Sequence, residues 1–163
     1  MTVAVPKNFP EAAENEITNI FNLAHIEVKF NHDPKLANFE VRYETLPDGK
    51  PGESKEFNGK PLGPKLVLVD AAQLLKMAIA LNTSGVMPNA SSVIAMGRIV
   101  SHEIGHKFLG WHKFDQEGKP VNFPTGLMRA VVDKEIFTPH RMFDDKFFFT
   151  SRQDQQIYEK CCH

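Results

Sequence analysis

Cysteine is scarce in this sequence. Of the 163 residues only Cys161 and Cys162 are cysteines, and they are neighbours at the C-terminal end. A disulfide between adjacent residues would be strained and would close no useful loop. We therefore expect no disulfide framework, and the fold must be stabilised by a hydrophobic core.

Long apolar runs and an excess of either charge are also lacking. No run approaches the roughly 20 apolar residues that a membrane-spanning helix needs, and the N-terminal segment shows no basic stretch followed by an apolar one. Lysine and arginine total 19 and aspartate and glutamate 20, so the formal net charge is −1. This balance argues against nucleic acid or an anionic membrane as a partner. We expect a soluble, unprocessed monomer without those partners.

Hydrophobic residues make up 42% of the sequence and include 13 phenylalanines, which is ample for the core of one domain. Apolar positions at helical spacing predict helices over residues 10–24, 71–83, 91–110 and from 150 onward. Alternating or continuous apolar positions predict strands over residues 26–30, 39–44 and 66–69, the last of them central. The Gly- and Pro-rich stretch 47–64 predicts turns. No repeat or linker indicates a second domain.

Side chains that can cap a helix precede three of these helices. Asp70 with Gln73 predicts a capping box, Ser91 or Ser92 can cap the third helix, and Thr150 or Ser151 can cap the last.

His102, Glu103 and His106 form an H-E-x-x-H motif within the third helix. Residues four apart lie on one helical face, so the two imidazoles can bind one metal ion. Zinc prefers such ligands, and a catalytic site keeps three protein ligands and one open position. Glu103 is placed beside the metal, where it can act as general base towards a metal-bound water. A structural zinc site would more often use four closed ligands with thiolates.

The motif needs a third ligand, and His112 is the best candidate. It follows His106 by six residues, and Gly110 between them allows the helix to stop and the chain to turn back. The carboxylates of Asp115, Glu117 and Glu135 are alternatives, but His112 is favoured by its spacing and ligand type. The sequence thus predicts a site for one Zn²⁺ with ligands His102, His106 and His112.

The segment HEIGHKFLGWH, residues 102–112, resembles the zinc signature of the metzincin metallopeptidases, H-E-x-x-H-x-x-G-x-x-H. The histidines and the glutamate match, whereas the family's glycine falls on Leu109 and the glycine here follows at Gly110. A leucine in a left-handed conformation costs on the order of 1 kcal/mol. We therefore expect the helix to include Leu109 and to turn at Gly110.

The resemblance implies further features of the fold. Met128, in the segment PTGLM, would lie in the methionine turn that metzincins place beneath the metal. The fold would be α+β, with a small twisted mixed sheet packed with a backing helix and an active-site helix. A single catalytic domain, residues 1–163, would comprise an N-terminal subdomain of about residues 1–110 and an irregular C-terminal subdomain of about residues 111–163 that ends in a helix.

The resemblance also implies the activity of a zinc-dependent endopeptidase. A protein or peptide substrate would lie along an exposed strand from residues 39–69, with its side-chain pocket near residues 125–132. Metzincins are typically exported, although no signal peptide is visible in this sequence. Two other functions stay open: a non-catalytic or autoinhibited binding protein with the same fold, and a zinc endoribonuclease. The nuclease is disfavoured by Glu103 and by the lack of basic charge.

Overall fold

The computed structural model describes residues 1–47, 50–55, 65–110, 113, 115–117, 127–128, 134–139 and 148–162. Within these ranges the fold is α+β. Its strands are β1 (Thr2–Ala4), β2 (Lys29–Asn31), β3 (Phe39–Tyr43), β4 (Gly52–Lys55) and β5 (Lys65–Val69). Its α-helices are α1 (Glu11–Leu23), α2 (Ala71–Thr83), α3 (Ser92–Leu109) and α4 (Ser151–Cys162), and short 3₁₀ helices cover Pro34–Leu36 and Lys134–Phe137.

The five strands form one mixed sheet in the order β2-β1-β3-β5-β4. The first four strands in this order are parallel to one another, and β4 runs antiparallel to β5 with Gly52 opposite Val69. Parallel neighbours require crossover connections, and α1 supplies the crossover between β1 and β2. The expected mixed sheet is confirmed, with its antiparallel strand at one end.

All four predicted helices are present. The Asp70 carboxylate accepts a hydrogen bond from the Gln73 amide, and the Ser91 hydroxyl accepts one from the Ile94 amide. At α4, Thr150 is the cap. Its hydroxyl accepts a hydrogen bond from the Gln153 amide, and the Gln153 side chain accepts one from the Thr150 amide. These local signals were sufficient because a cap depends only on residues within one helical turn.

The strands were predicted less completely. Strand β3 and the central strand β5 are confirmed, whereas β2 begins only at Lys29 because the preceding segment completes the turn after α1, where the Ile26 amide donates to the Phe21 carbonyl. Strands β1 and β4 were not predicted from the sequence. Both are very short, and β4 lies in the stretch 47–64 that was predicted as turns. Such strands form through pairing with distant neighbours and leave little pattern of their own.

The main core lies where α1 and α3 pack together and against the sheet, and the two helices approach closely at Gly97. A Cβ atom at this position would lie 2.7 Å from the Glu16 Cβ and 2.8 Å from the Ala13 carbonyl oxygen. Real Cβ atoms do not approach other heavy atoms so closely, so glycine is required for this helix contact.

A buried ion pair lies next to this contact. Arg98 and Glu16 expose only 2% and 3% of their side chains, and Arg98 Nε donates to Glu16 Oε1 over 2.8 Å. Arg98 Nη1 also donates to the carbonyl oxygens of Ile136 and Thr138, over 2.8 and 3.0 Å. Arg98 therefore joins α1 and α3 to the segment 134–138, which comes from the C-terminal third of the chain.

Breaking this pair from one side should destabilise the protein strongly. Arg98→Met or Glu16→Gln leaves an uncompensated buried group, and we expect each to lower the free energy of unfolding by about 3–5 kcal/mol, with the double variant losing less than the sum. Urea unfolding followed by circular dichroism measures the free energy of unfolding of each variant. Glu27→Gln is the control, because Glu27 and Lys29 pair at 3.5 Å with side chains 78% and 68% exposed, and its effect should be below about 1 kcal/mol. Equal effects at both pairs would contradict the assigned role of Arg98.

Candidate metal centre

The motif His102, Glu103 and His106 lies on the last two turns of α3, in a part of the helix that is buried on all sides. The three side chains are only 9%, 8% and 6% exposed. Residues of these types are rarely so buried without a specific role. The two imidazole rings are neighbours, with centroids 4.7 Å apart and planes at 88°. The helix thus brings both predicted histidine ligands and the predicted base together.

Each histidine is oriented by a hydrogen bond from its Nδ1 atom to a backbone carbonyl. His102 Nδ1 lies 2.7 Å from the Leu127 oxygen, and His106 Nδ1 lies 2.9 Å from the Gly110 oxygen. A carbonyl can only accept, so in these bonds Nδ1 carries the proton and Nε2 carries the lone pair. This is how metal-binding histidines are commonly oriented, with Nε2 as the ligand atom.

Burial also favours the neutral imidazole that a metal requires. Desolvation lowers the pKa of His106 below its ordinary value, although the hydrogen bond to Gly110 acts in the opposite direction. A neutral ring at physiological pH does not have to lose a proton before it binds a metal ion.

Gly110 ends α3 as predicted. Leu109 is the last helical residue, and Gly110 has a φ of +85°, a conformation that glycine adopts easily. The Gly110 amide donates to the His106 carbonyl over 2.9 Å, while the Gly110 oxygen accepts from the ring of the same histidine. The displaced glycine therefore both terminates the helix and orients His106.

Met128 lies directly against the helix between the two histidines. It is fully buried, and a Cβ atom at Gly105 would lie 2.5 Å from its sulfur. The preceding residue, Leu127, accepts the His102 hydrogen bond through its carbonyl and donates its amide to the Phe148 oxygen over 2.7 Å. Met128 is thus packed against the turn of α3 that carries His102 and His106, while most of the pocket segment 125–132 lies outside the described residues.

The edge strand β4 contacts the predicted base. A Cβ atom at Gly52 would lie 3.4 Å from Glu103 Cγ, 3.5 Å from Glu103 Oε1 and 2.3 Å from the Cγ2 atom of Ile99. The proximity of Gly52 to Glu103 was not predicted from the sequence, because Gly52 lies in the stretch expected to form turns and no neighbouring residue indicates that it approaches α3. The contact of the Leu127 carbonyl with His102 was not predicted either, because the two residues are far apart in sequence.

The third predicted ligand, His112, lies outside the described residues. Among those that are described, no three His, Cys, Asp or Glu side chains form a group that could hold a metal ion. The described part of the chain includes Asp115, Glu117 and Glu135, so it offers no support for any of these carboxylates as the third ligand. His102 and His106 could hold a metal with a further ligand from elsewhere in the chain.

Comparisons with protein-family profiles, curated protein sequences and solved structures found no match. Among the described helices, none is both long and apolar enough to cross a membrane.

The packing of Met128 can be tested at Gly105. Alanine normally stabilises a helix interior by about 0.5–1 kcal/mol relative to glycine. Here its Cβ would meet Met128 Sδ at 2.5 Å and Phe149 Cε1 at 2.8 Å, and overpacking costs about 1–3 kcal/mol. We expect Gly105→Ala to lower the free energy of unfolding in urea, and to do so less in a Met128→Ala background. A more stable Gly105→Ala protein would show that the sulfur does not lie against this turn.

The third ligand can be identified by comparing zinc affinities. Loss of an interaction outside the ligand shell typically weakens metal binding by about 10–100-fold, and loss of a ligand should exceed that range. We expect His112→Ala to weaken zinc binding more than 100-fold in competition with a chromophoric chelator. Asp115→Ala, Glu117→Ala and Glu135→Ala are the matched comparisons and should have little effect. A greater loss in one of these three would make that carboxylate the ligand.

Proposed function

We propose that the protein is a zinc-dependent endopeptidase with a metzincin-like fold. The observation that carries this proposal is the pair of Nδ1–carbonyl hydrogen bonds, which leave the Nε2 lone pairs of His102 and His106 available to bind a metal ion. Glu103 lies between the two histidines in sequence. A glutamate at that position serves no purpose in a purely structural zinc site.

Support for the metzincin-like fold comes from four features in combination. The HExxH helix ends at a glycine before a third histidine, and Met128 packs beneath the ligands. The sheet is mixed, and the chain ends in a helix, α4. Helix α4 contacts the active-site helix through Lys160, whose ammonium group donates to the Phe108 carbonyl. These features agree with the arrangement that the resemblance implied.

The residues suit hydrolysis of a peptide bond. Zinc held by His102, His106 and His112 would polarise the scissile carbonyl and acidify a water molecule. Glu103 would accept the proton of that water and deliver it to the leaving nitrogen. Glu103 is buried, which limits the motion of its carboxylate and favours proton transfer in a fixed geometry.

An extended peptide is the substrate that suits the surroundings of Glu103. Strand β4 is the last strand of the described sheet, and it runs antiparallel to β5 beside the predicted base. A peptide can add to such an edge through main-chain hydrogen bonds, which recognise an extended backbone whatever its side chains. This strand falls within the range 39–69 from which a substrate-binding strand was expected.

Cleavage of a diverse peptide mixture, read by mass spectrometry, tests the proposed activity. We expect internal cleavages that disappear when a chelator removes the metal and return when zinc is added. Glu103→Gln keeps the size of the side chain but removes the base, so it should retain zinc and lose roughly 100-fold or more of the rate. Glu27→Gln, at a side chain that is 78% exposed, is the matched control.

Two results would contradict the proposal. Chelator-resistant cleavage would show that the metal is not required, and an unchanged rate in zinc-loaded Glu103→Gln would remove Glu103 as the base. A wild-type protein that binds zinc and peptides without cleaving any would favour the binding-protein alternative.

A further inference from the structure

We propose that Gly52 is a positioning residue for Glu103: the absence of a side chain on strand β4 allows α3 to lie close enough, at Ile99, for Glu103 to contact the strand. This inference rests on the proposed function for the role of Glu103, but the steric relationship itself does not depend on it. Glycine is required here for space and not for conformation, because the residues with positive φ do not include Gly52.

Strand β4 is held in place at its beginning. The Asp70 amide donates to the Pro51 carbonyl over 3.1 Å. Asp70 is itself fixed, because its two carboxylate oxygens accept from the amides of Leu46 and Gln73 over 3.0 and 2.8 Å. Opposite Gly52, the partner Val69 is fully buried. The strand therefore cannot move away from α3 without breaking these contacts, so an added side chain must displace atoms of the helix.

The atom that such a side chain would displace belongs to Ile99, whereas Glu103, at 3.4 and 3.5 Å, would be in ordinary van der Waals contact with it. These residues are four apart on α3 and so lie on the same face of the helix. The Cγ2 atom of Ile99 would be 2.3 Å from a Cβ at position 52, far inside van der Waals contact. Ile99 is almost completely buried, and its β-branched side chain has few rotamers available within a helix. It cannot turn aside, so the turn of α3 that carries Ile99 and Glu103 must shift, and Glu103 moves with it.

A displaced Glu103 would be less well aligned for proton transfer. Misplacement of a reacting group by about 1 Å can lower a rate by roughly 100-fold. The hydrogen bonds that orient His102 and His106 come from Leu127 and Gly110 and do not involve β4, so a small shift of this turn of α3 need not break them or release the zinc. The predicted signature is a fall in kcat with zinc content retained.

The test uses Gly52→Ala, Ile99→Leu and the double variant. Leucine has no Cγ2 branch and nearly conserves volume, a change that usually costs less than about 1.5 kcal/mol in a core. We expect Gly52→Ala to retain one zinc and to lose roughly 10- to 100-fold in kcat, with a smaller change in KM. Ile99→Leu alone should stay close to wild type, and the double variant should regain most of the lost kcat.

Crystal structures of the same variants give a readout that needs no activity. We expect the Glu103 carboxylate or the adjacent turn of α3 to be displaced in Gly52→Ala and to return in the double variant. Unchanged Glu103 coordinates and kcat in Gly52→Ala would overturn the inference, as would a loss of kcat that Ile99→Leu does not relieve in a folded, zinc-loaded protein. A wild-type chain that hydrolyses no peptide would instead overturn the proposed function, while the displacement of Glu103 would still test the role of Gly52.

Discussion

Close packing around α3 is the constraint on which the rest of the structure depends. Every residue from Ala95 to His106 is buried, so each face of this helix must meet a neighbour. Helix α1 meets it at Gly97, the edge strand meets it at Ile99 and Glu103, and Met128 and Phe149 meet it at Gly105. Two of these approaches require a glycine on α3 and the third requires one on the strand. Arg98, His102 and His106 can persist within such a helix because each makes a defined hydrogen bond.

The candidate metal centre is a consequence of this packing. Contact with Met128 brings the backbone of Leu127 to His102, whereas His106 is oriented by the end of its own helix at Gly110. Arg98 strengthens the same arrangement, because it binds the segment 134–138 one helical turn before His102. His102 is therefore oriented by a part of the chain that reaches it only after folding, whereas His106 is oriented locally. Stability of the fold and geometry of the site depend on the same contacts.

Features that depend on neighbouring residues could be predicted from the sequence, and features that depend on distant ones could not. The caps at Asp70 and Thr150 and the helix end at Gly110 are decided within a turn of helix. By contrast, the pair Glu16–Arg98 joins residues 82 positions apart, and the approach of Gly52 to Glu103 depends on strand order. The placement of His102 and His106 on one face could be predicted, because the geometry of a helix fixes how residues four apart are placed. The approach of β4 and the contact of the Leu127 carbonyl could not be predicted, since they come from distant parts of the chain, and Met128 was expected only from the resemblance.

The proposed site holds one zinc ion at the end of α3 with an open position beside Glu103. Anomalous X-ray diffraction at the zinc edge, from crystals of the zinc-loaded protein, is the most direct test of this site. We expect a single strong peak at about 2.0–2.1 Å from Nε2 of both His102 and His106, with His112 as the third ligand and a non-protein oxygen in the fourth position. A peak located away from these histidines, or four protein ligands closing the site, would contradict it.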